Sequence, residues 1–502
     1  MAKYKPYSYK QMVMLSVSLE DQIVPGTLEF AIHTLVEERM DVSRFDEKYQ
    51  NDDTGRLAYD PKVLLKGVLF GYSRGLNSSR KIERACLENV TFMALSCGQY
   101  PDHSTIAAFV SSMKDEIVSL FRDVLVVCEE MGLLGGTFFA LDGLRLPSNA
   151  SEQWTGTHAE LRRKKERMEA KVKELVEEHA TQDKRDEECP NAGIPTGRVD
   201  REKQIETLRK KAARIERFLR DNEPTYGPKG KEVTSNLTDN ESARMWTSHG
   251  PIQGYNGQAL IDAKHQVIIH AEAFGHSQDY AHGPPMLDGA KRTMRIIGHG
   301  EDCFAGKILT ADSNYHSTTN IRTCEQMGLN AYIPDRFFRK RDPRFATRRR
   351  PRKRFRLEDF DYDEACDQYV CPSGKRLKLD ARHIHADGML KRRYVADERD
   401  CGGCPAQSRC LTARGGKRKY LIVPIGVEPT HLLRRMAAKV DTPQGRRIYP
   451  QRIAVAEPVF ANIRAHKRLD RFTLRGKIKV TIQWSLYCMV HNIEKILNYG
   501  FT

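Results

Sequence analysis

The chain has 502 residues, room for two to four domains with large cores. Its 82 Lys and Arg against 66 Asp and Glu leave a net charge of +16, which favours polyanionic partners: nucleic acid, or an anionic membrane surface. The sequence has no run of about 18 apolar residues, which argues against a transmembrane helix, and Met1-Ala-Lys-Tyr-Lys-Pro6 lacks the apolar core of a signal peptide.

A cytoplasmic protein is therefore expected, with nucleic acid the favoured partner. Its twelve cysteines are expected to be mostly free thiols, buried or metal-bound. Residues 1–130 read as helical. Pro61 starts a helix through Tyr72 with its apolar residues on one face, Gly75 breaks it, and Ser78 caps the next. Asn89 to Ser96 is a short amphipathic piece, and Cys97-Gly-Gln-Tyr-Pro-Asp102 is a turn. His103, Ser104 and Thr105 then open a further helix with polar residues at its start. Short helices, a tight turn and a helix with a polar tip fit a helix-turn-helix DNA reader; an ordinary helical bundle fits the same pattern.

Gly132 to Gly136 precedes a strand, Thr137-Phe-Phe-Ala-Leu-Asp142, and Pro147-Ser-Asn-Ala-Ser151 closes it. A long charged stretch follows. Leu161, Met168, Val172 and Leu175 fall near heptad spacing, and Ile205, Leu208, Ala212, Ile215 and Leu219 alternate steps of 3 and 4. The spacing predicts an antiparallel helical hairpin over about 152–225, inserted after the first strand. Most of its charges form a solvated face. Strands return at Ile252–Asp262 and Gln266–Phe274, a helix lies within Ala281–Ile297, and a strand runs from Lys307 to Asp312. A helix over Ser317–Met327 and a strand from Asn330 complete the series. This alternation predicts a mixed sheet with helices on its faces, in which the first and fourth strands could lie side by side and bring Asp142 and Asp312 together.

From Arg336 to Arg356 the chain is strongly basic. Arg348, Arg349 and Arg350 sit at the centre, four phenylalanines interleave the charges, and Pro343 and Pro351 oppose a helix: a phosphate-binding arm. Cys371, Cys401, Cys404 and Cys410 follow. The Cys401-Gly-Gly-Cys404 knuckle can present two thiolates to one ion, so the four cysteines are candidate zinc ligands, with Cys366 a spare. Chance clustering of free thiols is the alternative. A helix over Thr430–Val440 leads to Tyr449, Arg452, Glu457 and Arg464; Glu457 and Arg464 are about two helical turns apart and so share a face. Pro458 either kinks this helix or marks its first turn. Val480–Leu497 reads as a closing helix with Trp484, Leu486, Tyr487, Val490 and Ile493 in the core.

Two aspartates at strand ends and an acid on a later helix suit Mg²⁺ or Mn²⁺, hard cations that take oxygen ligands, and phosphoryl transfer on DNA matches the basic balance.

With these motifs the chain resembles the DDE transposases of bacterial insertion sequences, in an IS4/IS5-like branch. Tyr59 to Phe109, with Pro101-Asp-His-Ser-Thr-Ile106, resembles the N-terminal domain; Asp142-Gly143 with Asn149-Ala-Ser151 resembles the first catalytic motif. Gly254-Tyr-Asn-Gly-Gln258 resembles the strand after the insertion, and Ala311-Asp312-Ser-Asn-Tyr315 the second motif. Tyr449, Arg452, Glu457 and Arg464 resemble the Tyr-Arg-Glu-Lys signature, with Arg464 in place of Lys and four rather than three residues between Arg452 and Glu457. The resemblance implies an α/β fold: an RNase H-like mixed-sheet core with a helical-hairpin insertion, an N-terminal all-α helix-turn-helix-like domain and a small cysteine-rich insertion. The implied division is a DNA-binding domain at 1–130, the first part of the core at 131–335, the arm and cysteine-rich insertion at 336–425, and the rest of the core at 426–502.

It further implies metal-dependent cleavage and strand transfer at terminal inverted repeats, into target DNA, by a homodimer on paired ends in the nucleoid, without a membrane partner. Asp142, Asp312 and Glu457 would hold Mg²⁺ or Mn²⁺, and Tyr449, Arg452, Arg464, Arg348–Arg350 and His103–Thr105 would contact DNA. A metal nuclease without strand joining and a non-catalytic DNA-binding protein are the competing readings.

Overall fold

The computed structural model describes residues 18–49, 57–188, 198–227, 230–247, 250–342, 355, 357–386, 389–411, 416–424 and 431–500. The chain opens with helices α1 (Leu28–Thr34), α2 (Pro61–Ser73), α3 (Ser79–Glu88), α4 (Val90–Leu95), α5 (His103–Ser112) and α6 (Glu116–Glu130). Their starts are written in the sequence. Asp60, Ser78, Asn89 and Asp102 each accept a hydrogen bond from a first-turn amide of α2, α3, α4 and α5, satisfying donors that have no partner within the helix. Gly75 ends α2 at a φ of +74°, a conformation glycine adopts without strain.

After β1 (Phe138–Pro147), a two-residue ladder of β2 (Thr155–Gly156) and β3 (Ser235–Asn236) closes the base of the hairpin formed by α7 (His158–Glu188) and α8 (Arg198–Asp221). Leu161, Leu175, Ile205, Ala212 and Ile215 are buried along its seam, which explains the heptad spacing.

The central sheet adds β4 (Ala243–Thr247), β5 (Gly250–Asp262), β6 (Ile268–Phe274), β7 (Ile308–Ala311) and β8 (Asn330–Tyr332), with α9 (Gly283–Ile296), α10 (Thr318–Gln326) and α11 (Phe338–Arg341) between or after them. The strand order is β4-β5-β1-β7-β8, with β6 also on β5. The β1–β5, β5–β4 and β5–β6 pairs are antiparallel; β1–β7 and β7–β8 are parallel. The mixed α/β sheet expected from the alternation is present, and the helices lie on both faces. Ala140, Leu146, Ala259 and Ile261 pack into one core, while Phe139, Leu141, Leu260 and Leu309 pack into another with α9, α10 and the side chains of Met436 and Val440.

A second, antiparallel sheet was not foreseen: β9 (Asp361–Asp363), β10 (Gln368–Val370), β11 (Arg376–Ala386), β12 (Met389–Ala396) and β13 (Tyr420–Pro424), with short helices α12 (Glu398–Gly402) and α13 (Gln407–Cys410) beside it. It has its own small core of Phe360, Tyr369, Leu377, Tyr394 and Leu421.

The chain ends with α14 (His431–Asp441), α15 (Pro443–Ile448), α16 (Gln451–Ala461) and α17 (Lys477–Tyr499). Pro458 lies inside α16 rather than in its first turn, and the helix passes into a π turn at Asn462–His466. α17 is apolar on nearly every side because it is covered on nearly every side, by β6 and by α1, α2, α5 and α6. One continuous core therefore runs from the N-terminal helices through α17 to the sheet, across the boundary expected near residue 130. Among the described residues no helix is long and apolar enough to cross a membrane.

Candidate active site

The parallel ladder of β1 and β7 pairs Ala140 with Thr310 and Leu141 with Ala311. Asp142 and Asp312 are the next step of that register, on strands about 4.8 Å apart. Alternation puts Asp142 on the face of Ala140 and Leu146, against which α16 packs. β1 continues five residues past Asp142, so this acid sits mid-strand, whereas β7 stops at Ala311 and Asp312 becomes the cap of a 3-10 turn, Ser313–Tyr315, accepting from the Asn314 amide at 2.8 Å. Burial pushes the Asp142 carboxyl up to about 6; Arg452 opposes the rise and Asp312 adds to it. Asp312 is raised as well, by burial first.

Arg452, in the first turn of α16, donates from Nη1 to Asp142 Oδ2, with both side chains mostly buried. Its guanidinium lies 6.0 Å from the centre of the Tyr449 ring, which stacks edge-on against Phe338. Tyr449, Arg452, Asp142 and Asp312 thus form one cluster. Glu457 and Arg464 face solvent, and among the described residues neither makes a hydrogen bond or ion pair. Five helical residues turn about 140° from Arg452, so Glu457 leaves the helix in a different direction from the side chain that reaches Asp142. Among the described residues no three His, Cys, Asp or Glu side chains are gathered tightly enough to hold an ion.

A fifth participant carries no signal in the local sequence. Asp279, in the 3-10 turn before α9, is buried, and its charge bears on both Asp142 and Asp312. Only its position in the fold reveals it.

At the start of α5, Asp102 accepts from the amides and hydroxyls of both Ser104 and Thr105, and His103 Nδ1 lies 3.1 Å from Glu83. Those polar groups serve the helix cap first. Arg348, Arg349 and Arg350 lie outside the described residues.

Cys371, Cys401, Cys404 and Cys410 line one cavity of about 20 Å³, together with Phe355, Leu377 and Lys419. Two tight knuckles present them. In one, the Gly374 amide donates to the Cys371 carbonyl and the Lys375 amide to Cys371 Sγ at 3.3 Å, with Gly374 at a φ of +75°. In the other, the Cys404 amide donates to the Cys401 carbonyl. All four are free thiols; burial raises Cys410 and the other three thiols act on it. Cys366 is exposed and apart from this cavity.

Two family models match the chain: a Transposase DDE domain over residues 370–497 and a Transposase domain (DUF772) over residues 17–112. The first spans β11–β13 of the second sheet and the helices carrying Tyr449, Arg452, Glu457 and Arg464; Asp142 and Asp312 lie outside both. No curated protein matches the chain significantly. Together the two matches support an insertion-sequence DDE transposase.

Proposed function

We propose that this chain, which its family matches mark as an insertion-sequence DDE transposase, cuts DNA at the terminal repeats of its element and joins the freed ends to target DNA. The observation that carries this reading is the parallel β1–β7 ladder, which ends at Leu141 and Ala311, one residue before Asp142 and Asp312, on a sheet face covered by the helix that bears Glu457. Three antiparallel pairings followed by two parallel ones also agree with an RNase H-like core.

The residues fit a divalent cation of the Mg²⁺ or Mn²⁺ class. The donors are carboxylate oxygens, and burial pushes both acids toward protonation, a cost that a bound cation would relieve. Asp142 and Asp312 would hold the metal, with Glu457 recruited from its exposed position when DNA is bound. When bound, such ions activate water or a 3′-hydroxyl and stabilise the departing oxygen. The chain's own part is to fix Asp142 on β1 and Asp312 in the turn that caps β7, and to exclude bulk water from behind them. Arg452 neutralises Asp142 in the free protein and turns to the DNA backbone once that charge is met otherwise. Tyr449 and Arg464 flank the same helix and contact the strand beside the cut.

Sequence reading is assigned to α5 and its preceding turn, and non-specific phosphate contact to the Arg348–Arg350 arm. A homodimer holding two ends, working at the nucleoid, follows from the requirement to cut both. A structural zinc is proposed at the cavity that the four thiols line, where binding would have to draw them closer than they stand here.

The test uses a duplex carrying one element end and its flanking DNA, with Mg²⁺ or Mn²⁺. Strand cleavage followed by joining is expected, lost in Asp142→Asn, Asp312→Asn and Glu457→Gln while DNA binding survives. Cleavage without joining would favour a nuclease; normal cleavage by a well-folded Asp142→Asn protein would end the reading.

A further inference from the structure

Three sequence motifs converge on a residue that none of them contains. Asp279 Oδ1 accepts from Gln258 Nε2 at 2.9 Å and from Asn256 Nδ2, both in the Gly254–Gln258 motif of β5. Its Oδ2 accepts from Nη2 of Arg145 at 3.2 Å, and Arg145 lies on β1 three residues beyond Asp142. Gln258 Oε1 in turn accepts from the hydroxyl of Tyr315, three residues beyond Asp312 and fully buried. His282, stacked on Phe274 at 4.2 Å, closes the far side with Nδ1 3.7 Å from Asp279 Oδ1. An unbroken path thus runs from the Asp142 strand through Arg145, Asp279, Gln258 and Tyr315 to the Asp312 turn.

The glycine after Asp142 has its reason here. A Cβ at Gly143 would stand 2.1 Å from Gln258 Nε2 and 2.6 Å from Asn256 Oδ1. The path also supplies what the sheet does not. The β1–β7 ladder ends at Leu141 and Ala311, so no ladder hydrogen bond holds Asp312. Asp279 is itself held by three side-chain donors, Asn256 and Gln258 on Oδ1 and Arg145 on Oδ2, so its carboxylate is fixed between the two motifs.

We propose that Asp279 is a positioning residue for the candidate metal site, setting the spacing of Asp142 and Asp312 through Arg145 on one side and Gln258–Tyr315 on the other. This rests on the reading of those two acids as the catalytic pair. Its negative charge, kept by the surrounding donors, adds to the field that draws a cation to the pair.

The test titrates the full chain with Mn²⁺ alone, by calorimetry, and measures cleavage of an element-end duplex in parallel. Asp279→Asn turns one acceptor into a donor facing donors; Tyr315→Phe removes one hydroxyl and leaves the charge. Each is expected to weaken Mn²⁺ binding roughly 10–100-fold, the range found when groups that orient metal ligands are removed, and to slow cleavage with end binding unchanged. The double variant should be no worse than the worse single, since both break one path. Wild-type Mn²⁺ affinity and cleavage in a well-folded variant, or additive losses, would overturn the inference; if Asp279→Asn does not fold, Tyr315→Phe decides alone. Asp142→Asn separates the two levels. If it is inactive while Asp279→Asn and Tyr315→Phe cut normally, only the positioning role is lost. If it cuts normally, or the wild type neither binds Mn²⁺ nor cuts, the proposed function fails and the positioning role with it.

Discussion

Arg452 lies on Asp142, its Nη1 donating to Oδ2, so that a helix late in the chain supplies the counter-charge for an acid on the first strand. The contact joins two positions 310 residues apart in sequence. An ion bound through Asp142 Oδ2 would compete with the guanidinium for the same oxygen.

Arg452→Gln should therefore lower stability without metal, by on the order of 2–3 kcal/mol, because it leaves a buried acid without its partner. Added Mn²⁺ should restore most of that loss and stabilise the variant more than the wild type. Urea unfolding with EDTA and with Mn²⁺ measures both. Equal metal stabilisation in the two proteins would show that the arginine and the ion do not compete.

The acid pair also sets a pH dependence. Asp142 is raised from 3.8 to about 6, chiefly by burial, and Asp312 moves the same way. Between about 4 and 6 the folded chain holds a proton that the unfolded chain has released, so stability is greatest below that interval and falls as pH rises through it. In EDTA, wild type should lose on the order of 2 kcal/mol more than Asp142→Asn between pH 4 and 7. Mg²⁺ should shrink the difference, since it favours the ionised pair. Parallel pH profiles for the two proteins would count against a coupled acid pair.

The cysteine cavity makes a separate prediction. Carefully reduced protein should carry about one zinc if the four thiols close around an ion, because such a site holds its metal through purification. Cys404→Ser should lower that content and expose the second sheet to protease, while the central sheet stays protected. Metal analysis finding no zinc would reduce the four thiols to an apolar seam beside Leu377.

Much of this arrangement was legible in the sequence. Cap residues placed the helix starts, heptad spacing gave the α7–α8 hairpin, and apolar runs ending in aspartate gave β1 and β7. The rest was hidden for identifiable reasons. Leu144 and Leu146 continue the alternation past Asp142, so the strand did not end where the acid suggested. The two long strands of the second sheet, β11 and β12, are dense in Lys and Arg, as in Arg376-Leu-Lys-Leu379, and the charge obscured their alternation. Asp279 lies in a loop with no spacing to mark it; only the fold brings Asn256, Gln258 and Arg145 to it. The exposure of Glu457 could not be read from a seven-residue interval, because Arg452, five residues earlier, takes the direction toward Asp142.

The N-terminal helices provide the last prediction, one that the fold reverses. If residues 1–130 were an independent reader, deleting them would leave a folded core that binds DNA weakly and without discrimination. Instead α1, α2, α5 and α6 cover α17, where Trp484, Leu486, Tyr487, Met489, Val490 and Ile493 are all fully buried. Tyr72 of α2 stacks on Tyr487 at 4.5 Å, within the same core. Deleting residues 1–130 would uncover several large apolar side chains, each worth about 1.5–3 kcal/mol of burial, more than a typical domain's margin. The truncated protein should be insoluble or bind a hydrophobic dye, with the β6 edge and α17 exchanging amide hydrogens rapidly. DNA reading is better tested by substitutions that spare this core, such as Lys114→Glu just after α5, with a matched change on α8 as control. A folded, soluble truncation that retains Mn²⁺ binding would show that the shared core is dispensable and restore residues 1–130 as a separate domain.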